Sequence, residues 1–451
     1  MKLKKSEFFA YGCGDFAQQF GNFFVLSYFM FYMTDVAGIP ALATGTMYMI
    51  VRVWDAINDP IMGRVVDMTR TDRGTAHPWI KRGIPLMAFF LIFMFAIPVK
   101  ASVTLKIIWA MIGYVGWDFA FTMYLIPYGT LPNMMTDNSE ERVLLGTFRD
   151  YGANLCGLLV SFGATALIGL YASKGMGTGY TATAVTLAVF FLIFSTIMYR
   201  GTHEHIALPP IEKGEENSLK SSLKSLVKNR PAIALTIMMF FWMSFYEFRM
   251  IWTAYHCTYY LQNEGLIALL LGAMTAMPLI VEPFVPKLTK VFSKKGMLFL
   301  SCSLISVGGI LYLIGRQSIV MNVIATCVLG ASAGTIGPIL WGTLPDAADY
   351  GEWKTGVANP GIIYSANSFA QKFSGSLATF ISGIVLTAIH YDGTAMVQAA
   401  TVAPGMYWFN GIINIIYGIL AVAAVFFYNL DDATVETMRK ELNDRKSQAT
   451  A

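Results

Sequence analysis

Apolar residues run along this chain in long blocks separated by short polar breaks. The clearest blocks are GIPLMAFFLIFMFAIPV (83–99), TATAVTLAVFFLIFSTIMY (181–199), MLFLSCSLISVGGILYLIG (297–315) and YWFNGIINIIYGILAVAAVFFY (407–428). Each is close to the roughly 20 apolar residues that carry a helix across a bilayer. Eight further segments, centred near residues 20, 50, 118, 158, 245, 275, 332 and 375, are apolar but hold polar residues within them. Four and eight predict twelve membrane helices. The longest polar interruption, GTHEHIALPPIEKGEENSLKSSLKSLVKNR, spans 201–230 and divides the helices six and six. The pattern therefore predicts a helical bundle over 1–200, a linker over 201–230, a second bundle over 231–428 and a polar tail over 429–451. The basic end of the linker, LKSSLKSLVKNR, reads equally as a short amphipathic helix on a membrane surface and as a solvated connection.

Composition agrees with this all-α membrane class. Hydrophobic residues make up 55% of the 451 and charged residues only 13%, about half the roughly 25% of soluble domains. A net charge of +4 implies no nucleic-acid partner. The five cysteines stand singly, with no C-x-x-C pair, and read as small apolar packing residues. The start, MKLKKSEFFAYGCGDFAQQFGN, is basic but too polar and glycine-rich for a signal peptide, so it is expected to lead into a retained first helix. Lys and Arg set the expected orientation. With both ends inside, inner loops and tails hold 24 of the 32 basic residues, outer loops four (Lys100, Lys106, Lys174, Arg316) and helices four. The expectation is a multi-pass protein of the inner cell membrane with both termini cytoplasmic.

Enzyme motifs fail on context. GASAG (330–334) fits a nucleophile elbow but lies in an apolar helical block rather than a strand–turn–helix. HEH (203–205) lacks metalloprotease spacing, and there is no G-x-x-x-x-G-K-[ST] for ATP. What stands out is charge inside the apolar blocks. Such groups cost about 2.5–3.5 kcal/mol each even on lenient scales, so they point to function. They are Asp15, Arg52, Asp55, Asp59, Asp118 and Arg149 in the first half, and Glu247, Arg249, Glu282 and Lys372 in the second. Asp55, Asn58 and Asp59 share one helix face. Two carboxylates and an amide oxygen there suit a small hard cation or a proton; the alternative is a set of structural ion pairs, with Arg52 one turn from Asp55. Asp118 reads either as a further acid on the same face as Thr122 or as a water-facing group near the outer surface. Glu247 and Arg249, two apart, cannot pair on a helix, and Arg249 is expected to approach a cavity or the outer interface.

The loop GRVVDMTRTDRGTAHPWIKR offers Asp67, Arg70 and Arg73 for ion pairs that form in one conformation and break in another; the plainer reading is a basic anchor. PDAADYGEWKTG, with Asp349, is its counterpart in the second half.

The stretches GDFAQQFGNFFVLSYFMFYMTDVAG, RVWDAINDPIMGRVVDMTRTDRGTAHPWI, PDAADYGEWKTG and IIYSANSFAQKFSG resemble, in order and spacing, the glycoside–pentoside–hexuronide:cation symporters of the major facilitator superfamily. That resemblance implies a cation-coupled sugar symporter with no cofactor beyond co-transported Na⁺ or H⁺, and with a glycoside, the cation and the bilayer as partners. It implies a cation site at Asp55, Asn58, Asp59 and Thr122, and a sugar site at Asp15, Arg149 and Lys372, with Tyr128 and Gly129 beside it. Departures bear on substrate and ion. Leu125 stands where melibiose-permease-like members have an acid, Gly129 replaces a stacking tryptophan, and Gly14 replaces a lysine. The IPYG of helix four matches the glucuronide carrier, whereas WDAINDPIMG matches the sodium-using branch. A glucuronide is expected over a neutral glycoside or pentoside; a non-transporting sensor is the remaining rival.

Overall fold

The computed structural model describes residues 3–69, 71, 74–136, 138–206, 226–355, 360–395 and 397–450. Among these residues the chain is helical throughout, with one isolated bridge between Thr71 and Gly74. Six long helices precede the linker: α1 (Lys5–Phe24), α2 (Ala41–Met68), α3 (His77–Met94), α4 (Val103–Met135), α5 (Ser139–Tyr171) and α6 (Met176–Gly201). Six follow it: α7 (Arg230–Tyr255), α8 (Leu266–Val281), α9 (Val285–Gly315), α10 (Ile319–Thr355), α11 (Pro360–Ala388) and α12 (Val402–Phe427). Each predicted apolar segment has its helix. Seven described spans are long and apolar enough to cross a membrane by composition alone; the other helices carry the polar residues that make up the sites below. The amphipathic stretch foreseen at 219–230 lies largely outside the described residues.

A helix in hydrocarbon must satisfy every polar group internally. Many hydroxyls do so by bonding back one turn, as Thr183 does to the Gly179 carbonyl at 2.8 Å and Thr343 to that of Ile339 at 2.9 Å. Prolines 85, 127, 132, 278, 338 and 345 lie within helices. In two places the continuation widens into π turns: after α1 at Val25–Phe29 and Tyr32–Val36, and after α7 at His256–Tyr260. Helix α3 starts six residues before its predicted block, because a carboxylate from the linker caps its first turn. The polar tail is also helical. Helix α13 (Asp432–Thr450) buries Met438 completely and most of Val435 and Leu442, and Glu441 accepts a 2.7 Å bond from the Trp353 indole at the end of α10.

Two compact units emerge. The first comprises Met1–Ile211, Met250–Thr275 and Thr379–Pro404; the second, Glu212–Arg249, Ala276–Ala378 and Gly405–Ala451. Within the first, α1 and α5 cross with almost nothing between them. A Cβ on Gly152 would come 2.6 Å from the Gly12 carbonyl, and one on Gly12 would come 2.9 Å from that of Phe148. Only glycine permits that approach. Gly152→Leu is expected to wedge the helices apart at about 1–3 kcal/mol, lowering the unfolding temperature of the purified protein. Gly129→Ala, where a Cβ meets nothing within 4 Å, is expected to leave it unchanged.

Candidate functional site

The glycine crossing sets Asp15 of α1 against Arg149 of α5. Arg149 Nε donates to Asp15 Oδ2 at 2.5 Å, and Gln18 Nε2 donates to Asp15 Oδ1 at 3.3 Å. Asp15 is buried; about a third of the Arg149 side chain stays open. Tyr128 of α4 backs the pair, its ring 5.3 Å from the guanidinium carbon and stacked on Tyr11 at 4.6 Å. Its hydroxyl donates to the Tyr11 carbonyl at 2.7 Å, and Tyr124 donates to the Gly14 carbonyl at 3.0 Å. Tyr128 is thus wholly buried and shapes the pair from behind. Residue 14 must be glycine here, since a Cβ would lie 2.3 Å from the Tyr128 ring. The result is a carboxylate with acceptor capacity and a guanidinium with spare donors, the chemistry that grips sugar hydroxyls.

Helices α2 and α4 run in the same direction and meet at a second polar centre. Thr122 Oγ1 donates to Asp59 Oδ1 at 2.9 Å, and Arg52 Nη1 donates to Asp55 Oδ2 at 2.8 Å. Asp55, Asn58 and Thr122 are buried, and no acceptor meets the Asn58 amide nitrogen. On the linker side the centre is closed by Met62, Val66 and Met123. On the far side, Tyr48 of α2 packs edge-on against Tyr114 of α4 at 4.7 Å. Among the described residues, no three His, Cys, Asp or Glu side chains could hold a metal ion between them. A cation held here would need Asn58 and Thr122 as well as the two acids. Of the two readings of the spacing, the ion pair of Arg52 with Asp55 is present, and Asp59 faces Thr122.

Two expectations need correction. Asp118 does not face water: it is only 9% exposed, within electrostatic reach of Asp55 and Arg52. Arg249 is not exposed at an outer interface. At 1% exposure it lies in the core of the second unit, donating to the Asn410 side-chain oxygen and, at 2.6 Å, to the Tyr312 hydroxyl, whose ring it also covers. Neutral oxygens and an aromatic face meet its charge where water cannot. Lys372 lies half-buried on α11 of the second unit. Glu247 of α7 approaches that helix one turn on, its carboxyl carbon 2.9 Å from where a Gly375 Cβ would stand. Of the loop residues, Arg70, Arg73 and the Asp67 side chain lie outside the described residues. Asp349 is half-buried near the end of α10; one turn earlier, buried Asp346 accepts a 2.6 Å bond from Lys294.

Three further polar centres escaped the sequence reading. Asp346–Lys294 is one. Asp35, in the second π turn, accepts from the Tyr259 and Tyr391 hydroxyls and from Thr34 Oγ1 at 2.6 Å. The third explains HEH. Glu204 takes the Thr75, Ala76 and His77 backbone N–H groups at 2.7, 2.9 and 3.0 Å and the His77 ring at 2.9 Å. His205 bonds Glu7 of α1 at 2.8 Å, and its backbone N–H donates to the Met134 carbonyl at the end of α4. The first residues after α6 thus strap the ends of three helices.

Helical units with charged groups buried inside them suit a polytopic transporter, and the family match makes the chain a membrane transporter and not an enzyme. The chain belongs to the MFS/sugar transport protein family, whose description matches residues 10–432, and within it to the glycoside–pentoside–hexuronide:cation symporters. It is 31% identical to the uncharacterized symporter YnaJ of Bacillus subtilis (strain 168), over 98% of this chain and 96% of that one. It is 28% identical to the isoprimeverose transporter of Lactiplantibacillus pentosus, over 99% and 93%. It is 27% identical to the glucuronide carrier protein homolog of Escherichia coli (strain K12), over 97% and 95%.

The strap generates a prediction. Burial pushes the Glu204 carboxyl up, but the His77 ring and three backbone N–H groups outweigh it and hold the carboxyl below its ordinary 4.5. Stability from this group is therefore present above pH 4.5 and lost as pH falls through the lower folded value. Glu204→Ala is expected to cost about 1–3 kcal/mol at neutral pH and to flatten the acid limb of a melting-temperature profile.

Proposed function

We propose that this protein is a secondary symporter that moves a glycoside and a cation together by alternating access. Asp55, Asn58, Asp59 and Thr122 bind the cation, and Asp15 and Arg149 the sugar. One observation carries the reading: a single helix touches both centres. On α4, Thr122 holds Asp59, and two residues later Tyr124 holds the Gly14 carbonyl beside Asp15. Neutralising Asp59 with a cation changes what Thr122 grips, and the movement passes along α4 to the sugar pair. A membrane potential adds about 2.3 kcal/mol per charge per 100 mV, so one cation supports substantial accumulation.

Na⁺ is the assigned coupling ion, because Asn58 offers an amide that ligates metal and carries no titratable proton. The distribution of basic residues supports both termini lying inside the cell. The substrate assigned is a hexuronide such as a β-glucuronide. Leu125 leaves the site one acid short while Arg149 remains, which favours a carboxylate-bearing ligand. Open space at Gly129 admits a bulky aglycone.

Asp55→Asn and Asp59→Asn are expected to abolish gradient-driven accumulation in vesicles while sugar exchange persists. Normal accumulation in both would refute the cation site, and uptake that answers pH but never Na⁺ would replace Na⁺ with H⁺. Asp15→Ala and Arg149→Ala should each weaken sugar binding at least about tenfold, since each strands a buried charged partner; calorimetry on purified protein measures it. Competition for uptake between phenyl β-glucuronide and phenyl β-glucoside tests the substrate, and a glucoside that competes much better defeats the carboxylate argument.

A further inference from the structure

Asp118 has no place in the arrangement just proposed, yet it occupies an expensive position. It is nine-tenths buried on a membrane helix, and its Oδ2 has no hydrogen-bond partner. Buried polar oxygens are nearly always satisfied, so an unsatisfied carboxylate oxygen marks a seat built for something absent in this conformation. The helix register says what is at hand. Because α2 and α4 run in the same direction and Thr122 meets Asp59, one turn back on each helix places Asp118 level with Asp55. One further turn back on α2 is Arg52, and the charges of Asp55 and Arg52 both act on Asp118.

Arg52 is engaged with Asp55 at 2.8 Å, and about a fifth of its side chain is exposed. That pair blocks the cation reading in its simplest form. A cation that takes Asp55 must displace the guanidinium, and a displaced guanidinium in this setting needs a new acceptor. Beside this level, Phe29 of the first π turn packs against Tyr114, and Phe90, Phe93 and Met94 of α3 lie against Gly116 and Gly113 of α4; none of these groups carries charge.

We propose that Asp118 is the second seat of Arg52. On cation entry the guanidinium swings from Asp55 to Asp118, so Asp118 is a positioning residue that sets how readily Asp55 is released to the cation. The charge count supports the exchange. The cation replaces Arg52 at Asp55, Arg52 neutralises Asp118, and no buried carboxylate is left alone. This inference rests on the cation site proposed above but concerns a residue outside it.

The test uses Na⁺ itself as probe and needs no sugar. Melting of the full-length purified protein is followed from choline chloride into sodium chloride at constant ionic strength, where a bound ion stabilises the folded state. Asp118→Asn is expected to raise the half-saturating Na⁺ concentration about tenfold, while Asp118→Glu restores it to within about threefold of wild type. Arg52→Gln removes the competitor and is expected to lower the midpoint, and in that background Asp118→Asn should have little further effect, the non-additivity of a shared partner. An unchanged midpoint in Asp118→Asn, or an equal shift with and without Arg52, overturns the exchange while leaving the cation site intact. Should Asp118→Asn fail to fold, an unchanged midpoint in Arg52→Gln overturns it alone. A wild-type protein with no Na⁺-specific shift overturns both the exchange and the sodium assignment.

Discussion

A charge held within hydrocarbon must be matched on the spot, and this requirement organises the first unit. The Asp15–Arg149 contact is its clearest product. Two glycines let α1 and α5 touch, Tyr128 fills the room that Gly14 leaves, and the tyrosine's hydroxyl ties α4 to α1. Remove the need to match that carboxylate and neither the bare crossing nor the aromatic backing has a reason to exist. Such pairs add little net stability, because desolvation consumes most of their attraction. Their value lies in being exchangeable: a polar ligand can enter the pair without leaving either partner stranded.

Around Arg249 the second unit meets the same requirement differently. Arg249 faces neutral oxygens and a ring, with Tyr312 passing the bond on to Thr326. The hydrogen-bonded chain links α7, α9, α10 and α12 through side chains that do not change charge. Nothing in it offers an entering ligand a carboxylate to share. The contrast gives the first unit the adaptable chemistry and lends this part of the second a fixed frame.

Much of this was legible in the chain itself. The helices followed from block length, and Asp55, Asn58 and Asp59 announced themselves because the three lie within about one turn of each other on one face. Asp15 and Arg149 were visible as charges among apolar residues, although their contact joins positions 134 apart. What stayed hidden sits near helix ends, where a charge looks like an ordinary solvated cap. Glu204 belongs with residues 127 to 129 earlier, and Asp35 with tyrosines 224 and 356 later. Arg249 misled for a different reason: Asn410 and Tyr312, which accept from it, are uncharged and lie 161 and 63 positions away.

The paired π turns explain why Asp35 could not have been placed by a helical wheel. Asp15 and Asp35 are 20 positions apart, and at roughly 100° per residue a regular α-helix would set them on nearly opposite sides. Each π turn takes up one additional residue, so the two together leave about 18 effective steps, or five whole turns. Both carboxylates then point the same way. The alignment depends on the count of residues between them rather than on their identity. A deletion between positions 25 and 34 that leaves both π turns in place would rotate Asp35 by about 100° and part it from its tyrosines, whereas one that removes a π turn together with its extra residue would keep the register.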